Sequence, residues 1–127
     1  MKITIETIPH DQQRYCTAGD WIEQPGGDIL IRVSELGDWR YNMAVGIHEA
    51  VEALLCRNDG VSQADVDAFD MAFSEDQPIP WASSEPGDER AAPYARQHCF
   101  ATAVERMLIG AFGLSWADYE AAVEALP

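Results

Sequence analysis

An imidazole and two carboxylates, His48, Glu49 and Glu52, stand close together in the segment Ile47-His48-Glu49-Ala50-Val51-Glu52-Ala53. On a helix turning about 100° per residue, Glu52 lies one turn beyond His48 and about 40° further round, so both side chains point the same way. Glu49 sits roughly 60° past Glu52, beside Cys56. A second stretch repeats the theme: Tyr94, His98, Ala101, Glu105, Leu108 and Phe112 follow helical steps of three and four along one seam. The apolar members of that seam turn it toward a core, and His98 and Glu105 travel with them. Two helices thus each present a His and a carboxylate to one interior. A buried carboxylate without a partner costs several kcal/mol, so an ion pair, protonation or a metal ion is required. The cluster of His48, Glu49, Glu52 and His98 is a candidate metal site. A metal-free hydrogen-bonded network joining Glu52 to His98 and Glu105 to His48 is the alternative.

The His48 segment resembles the H-E-x-x-H helix of zincin metallopeptidases, with Glu52 in place of the second His. In many zincins of the gluzincin type, two His from the motif helix and a Glu from a later helix bind zinc. Here the later helix offers His98, so the resemblance implies a Zn²⁺ site of His48, Glu52 and His98 with the origins of His and carboxylate exchanged. It implies Glu49 as the catalytic general base, with Glu105 orienting a ligand His, and hydrolysis of an unknown peptide or protein substrate. The chain also looks similar to uncharacterised small phage and bacterial proteins with an H-E-x-x-E helix and a later Pro-Tyr...His segment, here Pro93-Tyr94-Ala95-Arg96-Gln97-His98.

These residues need elements to position them. Ile3, Ile5 and Ile8 lie on or near an alternating template that Pro9 ends, predicting a strand over 2–8. Pro25-Gly26-Gly27-Asp28 predicts a turn between strands at 21–24 and 29–33. After Gly37 the period becomes helical. Helices are expected at about 41–58, closed by Asn58-Asp59-Gly60; at 62–73, opened by Ser62; at 93–112, opened by Pro93 and stopped by Gly113; and at 115–125, opened by Ser115. On the first helix, Met43, Ile47, Ala50, Val51 and Leu54 centre the expected apolar face, and little of its girth is outwardly polar. Residues 74–93 hold four of the seven prolines, Pro78, Pro80, Pro86 and Pro93, together with Gly87, and read as a long loop bordering the cleft. The expected fold is α+β, a small antiparallel sheet followed by about four helices, minimal zincin-like, in a single domain over residues 1–127.

The 127 residues allow one core. The net charge of −14, with no Lys/Arg cluster, argues against direct binding to a nucleic-acid backbone. That acidity admits a function of a different class: a non-enzymatic interaction protein, a nucleic-acid mimic or inhibitor, that binds a basic protein partner. Cys16, Cys56 and Cys99 cannot all pair within one chain, which favours a reduced, cytoplasmic setting, and no run is long and apolar enough for a membrane span. Cys56 reads as a small buried hydrophobe, His10 as a surface residue, and Asp65, Asp67 and Asp70 as solvated helix charge, with Asp70 the most embedded. Trp21, Trp39, Trp81 and Trp116 read as core or loop anchors, Trp81 with an option to line the cleft.

Overall fold

The computed structural model describes residues 1–76 and 85–127, without the side chains of 74–76. Trp81 and the middle of the expected long loop lie outside the described residues.

Three strands form the sheet: β1 (Ile3–Ile8), β2 (Gly19–Glu23) and β3 (Ile29–Ser34). β2 and β3 are an antiparallel hairpin in which Trp21 faces Ile31, and the turn places Gly26 and Gly27 at φ 82° and 88°. Such positive φ values exclude most side chains, so the Gly-Gly pair is what lets the chain reverse here. β1 joins the other side of β3 in parallel, Ile3 opposite Ile29, giving the order β1-β3-β2. The sheet is therefore mixed rather than antiparallel throughout. The hairpin direction is set locally by its turn, whereas β1 pairs with a strand more than twenty residues away, whose direction no local signal encodes. Ile29, Ile31 and Val33 alternate onto the inner face and are essentially fully buried.

Four helices follow: α1 (Trp39–Asp59), α2 (Gln63–Asp76), α3 (Ala95–Ala111) and α4 (Trp116–Glu124). Most of the expected stops and starts act where their chemistry places them; α3 is the exception, opening at Ala95 behind Tyr94 rather than at Pro93. Gly60 ends α1 in the left-handed region at φ 75°, with Val61 N–H bonded back to the Cys56 carbonyl. Ser62 Oγ accepts from Asp65 N, Ser115 Oγ accepts from Asp118 N, and Gly113 at φ 74° follows α3. α1 begins two residues before the expected start because Asp38 caps it, its carboxylate accepting from Arg40 N at 2.9 Å.

α1 packs on the sheet and along α3. Its deepest stripe is Ala44, Val45, His48, Glu52, Ala53 and Cys56, not the predicted Met43-Ile47-Leu54 face; Leu54 is 38% exposed. Close approach to two neighbours selects small residues, and the bulky aliphatics flank the contact. At Gly46 a methyl group would lie 2.8 Å from Ile5 Cγ2, which shows how tightly helix and sheet meet. Trp39 is another departure: it is 66% exposed and rests edge-on against Phe112 rather than anchoring the core. Among the described residues no helix is long and apolar enough to cross a membrane.

Candidate metal centre

α1 and α3 bring the predicted cluster together at the floor of a cleft of about 510 Å³ that Gly19, Glu49, Tyr94 and Asp70 also line. His48, Glu52 and His98 are 4%, 4% and 5% exposed. His48 Nε2 lies 3.3 Å from Glu52 Oε2 and 3.2 Å from His98 Nδ1, and His98 Nδ1 lies 3.0 Å from Glu52 Oε2. Three donor atoms thus make a nearly equilateral triangle. Donors bound to a tetrahedral zinc at about 2.0–2.1 Å stand about 3.3 Å apart, so the triangle fits that ion with little adjustment. Two imidazoles and a carboxylate are also ligand types that zinc accepts.

Two of the three donor residues, His48 and Glu52, have their remaining polar atom hydrogen-bonded. His48 Nδ1 lies 2.9 Å from Glu105 Oε1, and Tyr119 of α4 donates its hydroxyl to Glu105 Oε2. Trp21 Nε1 donates to Glu52 Oε1 at 3.1 Å, leaving Oε2 for the imidazoles. Glu105 stands behind the candidate ligand His48, and this contact, with that of Glu52 and His98, is common to the metal site and to the metal-free network. Trp21 and Tyr119 were missed as site residues. Trp21 follows the hairpin period and Tyr119 the period of a short helix, and neither pattern says which polar group an aromatic N–H or O–H will reach.

Burial and charge act in opposition at this centre. Burial alone would lower His48 and His98, but Glu105 and Glu52 raise His48 well above the ordinary imidazole value, and Glu52 and Glu85 raise His98 to about 10. Burial would likewise raise Glu52, yet the two imidazoles hold it down to about 2. Among the described residues Glu49 accepts no hydrogen bond from an imidazole, and the charge of His48 only partly offsets its burial. Desolvation, reinforced by the charge of Glu52, raises its carboxyl well above the usual range. Its side chain lies against the edge strand, where a methyl group on Gly19 would stand 2.7 Å from Glu49 Cγ.

The other residues singled out in the sequence sort themselves around this centre. Asp70 is buried, not solvated: Tyr15 donates to it at 2.9 Å and Tyr94 donates to its other oxygen. Desolvation raises Asp70 to about 6 despite both hydroxyls. Its neighbour Asp67 pairs with Arg14, which also grips the buried Asp20 through two nitrogens at 2.7 and 2.9 Å. Cys56 is fully buried, and burial pushes its thiol up to about 12, as suits an inert core residue. Cys16 and Cys99 are exposed thiols. His10 is half-buried rather than a plain surface residue, its ring held between Ser34 Oγ and the Pro127 carbonyl at 2.9 Å each.

No protein-family model, curated protein or solved structure matches this chain.

Proposed function

We propose that this chain is a zincin-like zinc-binding protein, a zinc-dependent peptidase or other amide hydrolase acting on a peptide or protein substrate. The observation that carries this reading is the convergence of His48 Nε2, Glu52 Oε2 and His98 Nδ1, mutually 3.0–3.3 Å apart, on one point. One cation satisfies three lone pairs there at once. A metal-free network needs at least one proton shared among the same three atoms, and it leaves two ring nitrogens facing each other.

His48, Glu52 and His98 hold the zinc, which supplies Lewis acidity when bound. Glu105 and Tyr119 fix the ring orientation of His48, and Trp21 fixes the carboxylate of Glu52. Glu49 follows His48 directly and lines the cleft, where a general base must stand to take a proton from water beside the scissile carbonyl. The edge strand β2 forms one wall of that cleft through Gly19, Asp20 and Trp21.

Elemental analysis of the purified protein is the deciding measurement. Tightly held zinc is expected, lost in each of His48→Ala, Glu52→Ala and His98→Ala; stoichiometric retention by all three variants overturns the assignment. Chelator-sensitive hydrolysis of a peptide library supports the enzyme. A large loss of thermal stability on chelation without hydrolysis identifies the zinc as a structural staple instead. The net charge of −14 favours one competing reading, an acidic protein that blocks a basic partner. Absence of metal together with salt-sensitive binding to a basic protein supports that alternative.

A further inference from the structure

His98 has a second face. Its Nδ1 belongs to the donor triangle, but its Nε2 points the other way, toward the turn formed by residues 85–88, and lies 3.2 Å from Glu85 Oε2 and 3.3 Å from Asp88 Oδ1. Neither carboxylate is aligned to accept a hydrogen bond, so this buried nitrogen is without a hydrogen-bond partner in a residue only 5% exposed. A buried nitrogen that is ion-paired with two carboxylates yet hydrogen-bonded to neither calls for a physical account.

The turn is built to hold that arrangement. Asp88 Oδ2 accepts from Glu85 N at 3.1 Å, which ties the two acidic residues together and turns Asp88 Oδ1 toward the imidazole. Gly87 packs directly on the ring: a methyl group there would lie 2.8 Å from His98 Cβ and overlap the ring itself. With the ring clamped between Gly87 and the inner donors, Nε2 cannot rotate to reach either carboxylate squarely. One nitrogen and two carboxylate oxygens therefore surround a shared point, all within 4.8 Å of one another.

We propose that His98 Nε2, Glu85 and Asp88 form a second divalent-cation site at the mouth of the cleft, with the His98 ring bridging it to the inner donors. The chemistry favours a borderline divalent ion such as zinc, since one imidazole nitrogen joins two carboxylates. The outer carboxylates are about half exposed, their side chains 55% and 53% accessible, so water completes the shell and binding is weaker than at the inner site. When both sites fill, the bond from Nε2 to its proton breaks, the bond from Nε2 to the cation forms, and the proton passes to solvent. The inference goes beyond the proposed function and shares only His98 with it.

The test is calorimetric titration of chelator-treated full-length protein with Zn²⁺ alone. Two equivalents are expected, the first tight and the second weaker. Glu85→Gln combined with Asp88→Asn should keep the first equivalent and lose the second; both residues are exposed, and an unchanged circular dichroism spectrum verifies the fold. Saturation of the parent at one equivalent, or two equivalents in the double variant, overturns the proposal. His48→Ala combined with Glu52→Ala separates the two ideas. Loss of only the tight equivalent upholds both sites, whereas retention of both equivalents refutes the inner assignment and leaves the outer one to the Glu85/Asp88 result.

Discussion

Glu105 Oε1 sits 2.9 Å from His48 Nδ1, so a carboxylate on α3 sets the orientation of an imidazole on α1. The opposite oxygen of Glu105 is held by Tyr119, which places the ring of His48 at the end of a chain that begins on α4. Partners of this kind typically account for 10–100-fold in metal affinity. Glu105→Ala should weaken zinc binding by about that factor and Tyr119→Phe by less, measured by competition with a chromophoric chelator. Equal affinities in parent and Glu105→Ala would mean that His48 needs no such support.

Glu49 is the residue on which hydrolysis and metal binding should part company. Its side chain faces the cleft beside Gly19 and lies outside the donor triangle. Glu49→Gln keeps the shape and removes the proton acceptor. Zinc content should be unchanged, and chelator-sensitive hydrolysis should fall by at least the 10²–10⁴-fold typical of a lost general base. Hydrolysis at the parent rate in this variant assigns the base elsewhere.

The metal-free centre makes stability depend on pH in a direction that zinc should reverse. Glu52, held down to about 2 by His48 and His98 against burial, stabilises the fold above its unfolded value near 4.3 and loses that contribution as pH falls toward 2. His98, raised to about 10 by Glu52 and Glu85 against burial, stabilises below its unfolded value near 6.5 and loses that contribution as pH climbs toward 10. Chelated protein should therefore melt highest between about pH 4.5 and 6.5. Zinc must displace ligand protons, so the increase in Tm on adding zinc should grow above about pH 6.5. Melting curves from pH 4 to 9, with chelator and with zinc, check both; a zinc effect that shrinks with rising pH would contradict the ligand set.

Gly46 tests the packing that carries the centre. Alanine would gain about 1 kcal/mol of helix propensity, but its methyl group would meet Ile5 Cγ2 at 2.8 Å, and overpacking costs about 1–3 kcal/mol. Because Ile5 is β-branched, it has little freedom to yield. Gly46→Ala should lower Tm by several degrees. A rise in Tm would show that the sheet gives way more readily than its packing implies.

The sequence was most legible where one residue type has one local task. Gly60, Gly113, Ser62 and Ser115 end or begin helices through their own backbone freedom or hydroxyl groups, and the Pro-Gly-Gly turn reverses the hairpin. The pairing of His48, Glu52 and His98 was legible for a related reason: helical spacing alone puts His48 above Glu52, and the seam of α3 aims His98 and Glu105 inward. Features that depend on distant partners were hidden. The parallel pairing of β1 with β3 needs the whole hairpin in place, and the burial of Asp70 needs Tyr15 and Tyr94 from two other segments. On α1, hydrophobicity pointed to the Met43-Ile47-Leu54 face, while close contact with both sheet and α3 selected the small and polar stripe.

Glu52 and His98 meet although they stand 46 positions apart in the sequence. The contact pins both ends of an excursion that includes α2 and everything up to the turn at Glu85. Closing a flexible loop becomes costlier only slowly as it lengthens, by about 0.6 kcal/mol for each doubling. Chain could therefore be added to or removed from this excursion at small cost while α1 and α3 keep the three donors in register. The architecture separates what must stay constant from what can vary: the donors are anchored in the helices, whereas the length of chain that joins them is only weakly constrained by loop closure.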